Sequence, residues 1–187
     1  MSLSIRAAAA GDITAICALI NSFAARNLML PRSETQVNAA LPRFLIAEAE
    51  GELLGCGSLV DLAPDLAEIR SLAVAATAHG RGIGGDIVSA LLEMARTLGT
   101  AQVCALTLRP NFFQRQGFHI VGRWTLTPKV WHECVYCPKF HRCDEVAMLL
   151  DLRDPAARGA PPPWWHSMAD HAPQSVLRWL ARNARER

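Results

Sequence analysis

A run of glycines separates a predicted strand from the strongest predicted helix of the chain, and it reads His79-Gly80-Arg81-Gly82-Ile83-Gly84-Gly85. The first N–H groups of a helix have no partner within the helix and therefore attract anions. Glycine lets the main chain adopt positive φ and approach a phosphate closely, while Arg81 adds charge at the rim. We predict an anion site at this turn, and a tight turn without a ligand is the alternative.

The sequence around the motif limits which phosphate-containing ligands the turn could bind. Gly80, Gly82 and Gly85 formally fit G-x-G-x-x-G, the pattern of dinucleotide-binding folds. Those folds place the motif in their first strand–helix turn, with an acidic residue about 20 positions later. Here a meander of strands comes first, and no Asp or Glu lies between Glu93 and Glu133. A P-loop is excluded because no Gly-Lys-Ser/Thr follows, so the pyrophosphate of coenzyme A is the remaining candidate.

The elements that position this turn are predicted from hydrophobic periodicity. Helical stripes follow Asp12, Ser33 and the glycine run, and three segments joined by short turns predict an antiparallel meander. The expected fold class is α+β with a central mixed sheet. The predicted strands are 3–6, 44–50, 53–62, 66–75, 101–108, 118–126 and 146–152, with a short helix over 110–117.

The segment IRSLAVAATAHGRGIGGDIVSALLEMA, residues 69–95, resembles the acyl-CoA-binding motif of the GNAT acetyltransferase superfamily. The family loop reads Gln/Arg-x-x-Gly-x-Gly/Ala, and His79 stands at its first position. The segment FFQRQGF, residues 112–118, resembles the family's Phe/Tyr-Tyr/Phe-x-x-x-Gly-Phe segment. The resemblance covers residues 3–152 and implies a GNAT-type fold with acetyl-CoA as cosubstrate. Residues 153–187 would then be a Pro-rich linker and a basic tail with a short helix.

Within the superfamily, LTPKVWHECVYCPKFHRCDEVAMLLDL resembles the C-terminal signature of stand-alone bacterial amino-acid N-acetyltransferases that act as N-acetylglutamate synthases. LPRS and AEIRSLAV, residues 30–33 and 67–74, fit the same group. The implied reaction acetylates the α-amino group of L-glutamate, the entry to arginine biosynthesis. One alternative is an acetyltransferase that acts on another amino acid or a small amine. The other alternative is a catalytically silent acyl-CoA-binding module. We assign CoA binding to Leu72, Ala73, Val74, His79, Gly80, Arg81, Gly82, Ile83, Gly84, Gly85, Asn111 and Phe113.

Acetyl transfer to an amine needs a base, an oxyanion site and a leaving thiolate. Because the superfamily often uses an acidic residue on the strand before the loop, Glu68 is the expected base; a solvated glutamate on an edge strand is the alternative. Strand alternation places Glu68 on one face with Arg70, Leu72 and Val74. The resemblance also implies that this strand splays from its neighbour and frees the N–H groups of residues 72–74 for the oxyanion.

Many relatives place a tyrosine in the FFxxxGF segment as general acid, but this chain has Phe112 and Phe113 there. The chain contains one tyrosine, Tyr136. A thiol with a pKa of about 8 to 9 can leave as thiolate without a proton donor, so this departure weakens a detail of mechanism more than the function.

Glutamate carries two carboxylates, so its site needs at least two cations, and Arg fits a carboxylate through its planar fork. The motifs supply Arg32 with Ser33 beside it, Arg70, and Lys129. Each of these cations could instead be a solvated surface charge.

Cys134, Cys137 and Cys143 lie near His132 and His141, and these are ligand types suited to zinc. One C-x-x-C without a second pair is a weak signal. We therefore expect reduced thiols packed in a loop near the substrate, with no metal.

The 187 residues have a net charge of +2, and 51% are hydrophobic, which predicts one soluble domain with a tail. Residues 153–187 carry six Arg against three acidic residues, which leaves the body near neutral and argues against a nucleic-acid partner. The start MSLSIRAAAAGD resembles no secretory signal, and no run of apolar residues is long enough to span a membrane. We expect a cytoplasmic protein with free thiols that acts on small molecules, and leave a homodimer open.

Overall fold

The computed structural model describes residues 3–153, and its first elements lie ahead of the glycine-rich turn. Strand β1 spans Ser4–Ala7, helix α1 spans Ile13–Ala24 and helix α2 spans Glu34–Ala39. Ser33 caps α2, because its hydroxyl accepts the Gln36 N–H at 3.2 Å while the Gln36 side chain accepts the Ser33 N–H at 3.0 Å.

The remaining elements alternate strands with helices after a three-stranded meander. They are β2 Phe44–Ala49, β3 Glu52–Ala63, β4 Leu66–Val74, α3 Ile83–Thr97, β5 Gln102–Thr107, α4 Pro110–Arg115, β6 His119–Ile120, α5 Thr127–His132 and β7 Val146–Asp151.

One sheet of seven strands, in the order β1-β2-β3-β4-β5-β7-β6, joins these elements. Every neighbouring pair is antiparallel except β4 and β5, which are parallel. A parallel pair needs a crossover connection, and α3 supplies it. The predicted α+β class with a central mixed sheet is confirmed.

Helices cover the two faces of the sheet. The apolar side of α3 packs on one face in a core that includes Ile87 and Leu91, while Ile16 and Ile20 of α1 pack on the other face. Gly57 lets α3 lie close to β3, since a Cβ there would lie 3.0 Å from Ile87 Cγ2 and 3.1 Å from Leu91 Cδ1. The two layers hold the glycine-rich turn at one end of β4.

The predicted strand over residues 118–126 is wrong beyond its first residues. His119 and Ile120 pair with β7, the Val121 N–H donates to Ala147 O at 3.0 Å, and Gly122 then leads into a turn of 3₁₀ helix. Pro128 stands in the first turn of α5, a helix that periodicity did not predict. Proline fits this position because it has no N–H to leave unpaired there. Lys129 is consequently presented by a helix.

The predicted linker and basic tail fall almost entirely in residues 154–187, outside the described residues. No helix within residues 3–153 is both long and apolar enough to cross a membrane.

Candidate active site

A β-bulge reshapes β4 immediately before the glycine-rich turn. Cys56 faces Ala73 but Ser58 faces Arg70, so two residues, Ser71 and Leu72, lie opposite the single residue between Cys56 and Ser58. Ser71 has a φ of 52°, which few residues other than glycine adopt. A bulge of this kind bends the strand and increases its twist.

The bulge also reverses the alternation of side chains along β4. Glu68 and Arg70 share a face, because their side chains form an ion pair. Leu72 and Val74 instead pack against the α3 core, together with Ile69. The prediction that Glu68 shares a face with Leu72 and Val74 is therefore wrong, since one extra residue shifts the period-two pattern.

The parallel pair of β4 and β5 is short. Leu66, Ala67 and Glu68 pair with Gln102, Val103 and Cys104, and no pairing continues beyond them. The Ala75 N–H donates to Leu54 O at 2.8 Å. By alternation the N–H of Ala73 also faces β3, while the N–H groups of Leu72 and Val74 face the gap towards β5. The expected splay is present, but the prediction that it also frees the N–H of Ala73 is wrong, because that N–H faces β3.

The glycine-rich turn leads into α3 with an open helix end. Gly80 and Gly82 have φ of 78° and 81°, and no side chain caps the helix at Gly82. A ligand can therefore reach the first N–H groups of the helix, as an anion site requires. The His79 ring folds back on β4, with Nε2 lying 2.8 Å from Val74 O. A carbonyl only accepts, so Nε2 carries the proton in this contact.

A cleft of about 690 Å³ joins the splayed strands, the helix end and a polar cluster. This volume is typical of a small-molecule site. One end is lined by Gly80, Gly82 and Gly84 with Arg109 and Arg115, and the other end by Arg32, Glu68, Arg70, Lys129 and Glu145.

Four charged side chains form the polar cluster at the second end. Arg70 pairs with Glu68 and Glu133, and Lys129 Nζ lies 2.9 Å from Glu68 Oε2 and 2.6 Å from Glu133 Oε2. Glu68 is 4% exposed and Glu133 39%. The alternative of a solvated Glu68 on an edge strand is wrong, because β4 is a central strand.

The cluster holds its charges firmly. Burial alone would lower the pKa of Arg70 and Lys129, but Glu68 and Glu133 outweigh it and raise both. Burial likewise opposes ionisation of Glu133, yet Lys129 and Arg70 hold the pKa of its carboxyl below the usual range. Since two carboxylates already neutralise Arg70 and Lys129, neither cation is as free as the sequence predicted.

Arg32 lies in the same cleft but, unlike Arg70 and Lys129, forms no ion pair with a carboxylate of the described residues. Within residues 3–153 its guanidinium has no hydrogen-bond or ion-pair partner, although its backbone is tied to Asn21. Burial, and then the charge of Arg70, lower its pKa. An unpaired, partly buried cation next to another cation is a place where an anionic group gains most.

Glu145 is a cleft residue that the sequence did not single out. It immediately precedes β7, its surface is open to the cleft, and its carboxylate has no partner within the described chain. No motif marked it, since acidic residues before a strand are common in loops.

Some predicted site residues lie away from the cleft lining. Arg81 and Asn111 are exposed and do not line it, and the Ser33 hydroxyl is used as a helix cap. Phe113 lines the cleft but is chiefly a core residue, with edge-to-face contacts to Phe112 and Phe118. Tyr136 is 82% exposed.

The cysteines are all unbridged. Burial raises the pKa of the Cys134 thiol, and it raises the pKa of the Cys56 thiol to about 12. Both thiols therefore hold their protons. Among residues 3–153 no group of three or more His, Cys, Asp or Glu side chains is arranged to hold a metal ion.

A mixed sheet that splits beside an uncapped glycine-rich helix end, over a cleft with a polar acceptor end, is the architecture expected of an acyl-CoA-dependent acyltransferase. The model of the acetyltransferase (GNAT) family matches residues 16–119. The chain belongs to the GNAT acetyltransferase family, and acetyl-CoA is its cosubstrate.

Curated relatives are similar over much of the chain. An uncharacterized N-acetyltransferase of Chlorobaculum tepidum is 33% identical over 79% of this chain and 96% of its own. An amino-acid acetyltransferase of Mycobacterium tuberculosis is 36% identical over 69% of this chain and 75% of its own. An amino-acid acetyltransferase of Neisseria meningitidis is 34% identical over 62% of this chain, which spans 27% of that longer enzyme.

Solved structures share the fold. A Mycobacterium tuberculosis protein in complex with CoA superposes with a TM-score of 0.70 and 29% identity, covering 80% of this chain and 99% of its own. N-acetylglutamate synthase from Neisseria gonorrhoeae, complexed with CoA and N-acetyl-glutamate, superposes with a TM-score of 0.72 and 26% identity. The match covers 82% of this chain and 36% of the synthase chain.

Proposed function

We propose that this acetyltransferase moves the acetyl group of acetyl-CoA to the α-amino group of L-glutamate, giving N-acetyl-L-glutamate and CoA. The observation that supports this acceptor is Arg32, whose guanidinium lies in the cleft beside Arg70 and has no partner among residues 3–153. The amino-acid acetyltransferases among the relatives, and the synthase with bound N-acetyl-glutamate, support the same choice.

The CoA end fits its ligand in shape and charge. The open N–H groups at the start of α3 would hold the pyrophosphate, and Arg109 and Arg115 also line the cleft and add positive charge. A ligand that carries amides can pair with the free edge of β4, as an added strand would. The N–H groups of Leu72 and Val74 face that gap and would stabilise the oxyanion that forms on the acetyl carbonyl.

The acceptor end fits a dicarboxylate with one amine. Glu68 and Glu133 pair with Arg70 and Lys129, so Arg32 is the cation of this end that has no carboxylate partner among residues 3–153 and would meet an anionic acceptor. Arg70 donates from Nε and Nη2 to carboxylates, so its Nη1 group is left to bind a ligand. We propose that the α- and γ-carboxylates lie at Arg32 and at the Arg70–Lys129 pair.

The sequence predicts Glu68 as the general base, whereas its geometry supports a positioning role. Its carboxylate joins Arg70 to Lys129 and so fixes the positions of both cations. If Glu68 is the base, the acid limb in the pH profile of kcat/KM should disappear in Glu68→Gln. A retained limb would leave Glu68 with the positioning role alone.

Thiol release from acetyl-CoA, measured against a panel of amino acids and small amines, tests the proposed function. L-glutamate should give the highest kcat/KM. A better acceptor of another kind would overturn the glutamate assignment and keep the acetyltransferase. Binding of acetyl-CoA with no turnover for any acceptor would favour a silent module.

We propose the cytoplasm as the location of this protein, because its cysteines are free thiols. Six unbridged cysteines are usual in a reducing compartment.

A further inference from the structure

Glu145 is a cleft carboxylate that the proposed mechanism has not yet used. We infer that Glu145 is the general base that removes a proton from the acceptor's ammonium group. This inference rests on the proposed acetyl transfer to an amine.

The strand register places Glu145 on the acceptor side of the sheet. Glu68, Cys104 and Leu149 form one row across β4, β5 and β7. Glu145 precedes Leu149 by four residues, so strand alternation places it on the same face as this row. It lies beside the end of β5, because the next residue, Val146, is paired with Thr107. Glu145 therefore flanks the splay, on the face that carries Glu68 and Arg70.

Glu145 is accessible and unpaired, whereas Glu68 is neither. The Glu145 surface is open to the cleft, and no described side chain bonds to its carboxylate. Protonation of Glu68 would leave Arg70 and Lys129 with only one carboxylate to share. Protonation of Glu145 breaks no ion pair within residues 3–153, so it is the cheaper proton acceptor.

Charged groups from each neighbouring element act on Glu145. Protein atoms along the cleft displace water around the exposed Glu145 carboxyl and so raise its pKa, with further contributions from Glu68 on β4 and Asp144 beside it. Lys129 on α5 and Lys139 in the following loop act in the opposite sense. A base with a pKa nearer to the working pH removes a proton from an ammonium more readily.

The reaction balances with one proton passing through Glu145. The ammonium gives a proton to the carboxylate, and the freed nitrogen lone pair attacks the acetyl carbonyl carbon. The carbon–sulfur bond then breaks, CoA leaves as thiolate, and this thiolate takes the second proton that the nitrogen releases. Glu145 returns its proton to water through its open surface.

The test is the pH profile of kcat/KM for the best acceptor of the panel, in wild type and Glu145→Gln. The variant should lose the acid limb and about 100-fold in kcat, with the KM for acetyl-CoA unchanged. Glu145→Asp should restore the limb and part of the rate, which a merely structural carboxylate would not require.

Asp144→Asn is the matched control, because Asp144 is the exposed neighbour and does not line the cleft. It should keep the rate and shift the limb slightly to lower pH, since one repelling charge is removed from Glu145. A Glu145→Gln profile that keeps the wild-type limb would overturn the inference.

The inference and the proposed function fail in different ways. If the best acceptor is not glutamate, the acceptor assignment fails. The acid limb in the pH profile of Glu145→Gln then still shows whether Glu145 is the general base. If no amine supports turnover, both are overturned.

Discussion

Arg70 and Lys129 each lie between a buried carboxylate and an accessible one. Glu68 is fixed inside the sheet, whereas Glu133 sits at the end of α5 and is open to solvent on one side. The buried carboxylate keeps the two cations charged and in place, as the raised pKa of both shows. We propose that an acceptor meets the remaining donors of these two cations together with Arg32.

Arg32→Ala should raise the KM for the amino-acid acceptor about tenfold, because a charged hydrogen bond to a carboxylate contributes about 1.5 to 3 kcal/mol. The KM for acetyl-CoA should change by less than about twofold, since the CoA end lies at the other end of the cleft. Steady-state kinetics with each substrate varied in turn measures both constants.

Arg96→Ala is the control for that variant, because Arg96 pairs with Glu93 on the exposed side of α3 and neither residue lines the cleft. It should leave both KM values at the wild-type level. Equal increases in the two KM values of Arg32→Ala would argue against an acceptor contact.

Most residues that a motif marked line the cleft, whereas two acidic residues of the polar end that no motif marked, Glu133 and Glu145, were missed. Glycine spacing marked the loop, and the same strand pattern marked both Glu68 and Arg70. Nothing in the sequence distinguishes Glu133 or Glu145 from surface acids, because their importance comes from what the fold places beside them. The pairing of Arg70 with Glu133, 63 positions away, is a tertiary fact.

At the scale of elements, the bulge in β4 turns one strand into two functional surfaces. Before Ser71, Glu68 and Arg70 present side chains to the polar cluster, and after it alternation turns the N–H group of Val74 to the gap. Alternation in AEIRSLAV gives no warning of the extra residue. A bulge depends on the pairing partner, and the partner is not visible in the strand's own sequence.

Gly82→Ala should raise the KM for acetyl-CoA about fivefold. A Cβ at φ of 81° meets no neighbour, so the cost is backbone strain, about 1 kcal/mol or more, which turns the loop away from its open geometry. Kinetics with acetyl-CoA varied at saturating acceptor measures the change.

Gly99→Ala is the matched control at the other end of α3. Gly99 has a φ of 75° and also has nothing within 4 Å of an added Cβ, so the backbone strain is the same kind. This variant should lose stability without any change in the KM for acetyl-CoA. A similar KM in both variants and the wild type would count against the loop as a phosphate site.

The elements near the end of the chain were harder to predict than the meander. The meander has short turns and clear alternation, and its strands were found where expected. The segment from 121 to 145 folds into short helical turns, because β6 ends after two residues and Leu126 and Val130 bury themselves on the sheet instead.

At the scale of the whole molecule, Asp151 ties the last described strand to the centre of the sheet. It accepts from Gln102 Nε2 at 3.2 Å and pairs with Arg153. The ion pair with Arg153 lowers the pKa of its carboxyl to about 2. A carboxyl with a lowered pKa in the folded state stabilises the fold above its unfolded pKa.

Asp151→Asn should therefore lose up to about 2 kcal/mol of unfolding free energy at pH 7. The loss should shrink as the pH falls from about 4 towards 2, where the wild-type carboxyl also takes up its proton. Urea denaturation across this pH range measures the difference. Asp61→Asn, in an exposed pair with Arg43, should cost less than about 1 kcal/mol, and an equal loss in both variants would contradict the expectation.

The short pairing between β4 and β5 also predicts how the backbone exchanges hydrogen with solvent. In the free protein the amides of Leu72 and Val74 should exchange rapidly, although they lie in the middle of a seven-stranded sheet, while Ala73 and Ala75 should be protected. Bound CoA should slow exchange at residues 72 and 74 alone within β4. Slowed exchange at every second amide of β4 would then show that CoA is bound in the cleft. This measurement can be made on the wild-type protein, without any substitution.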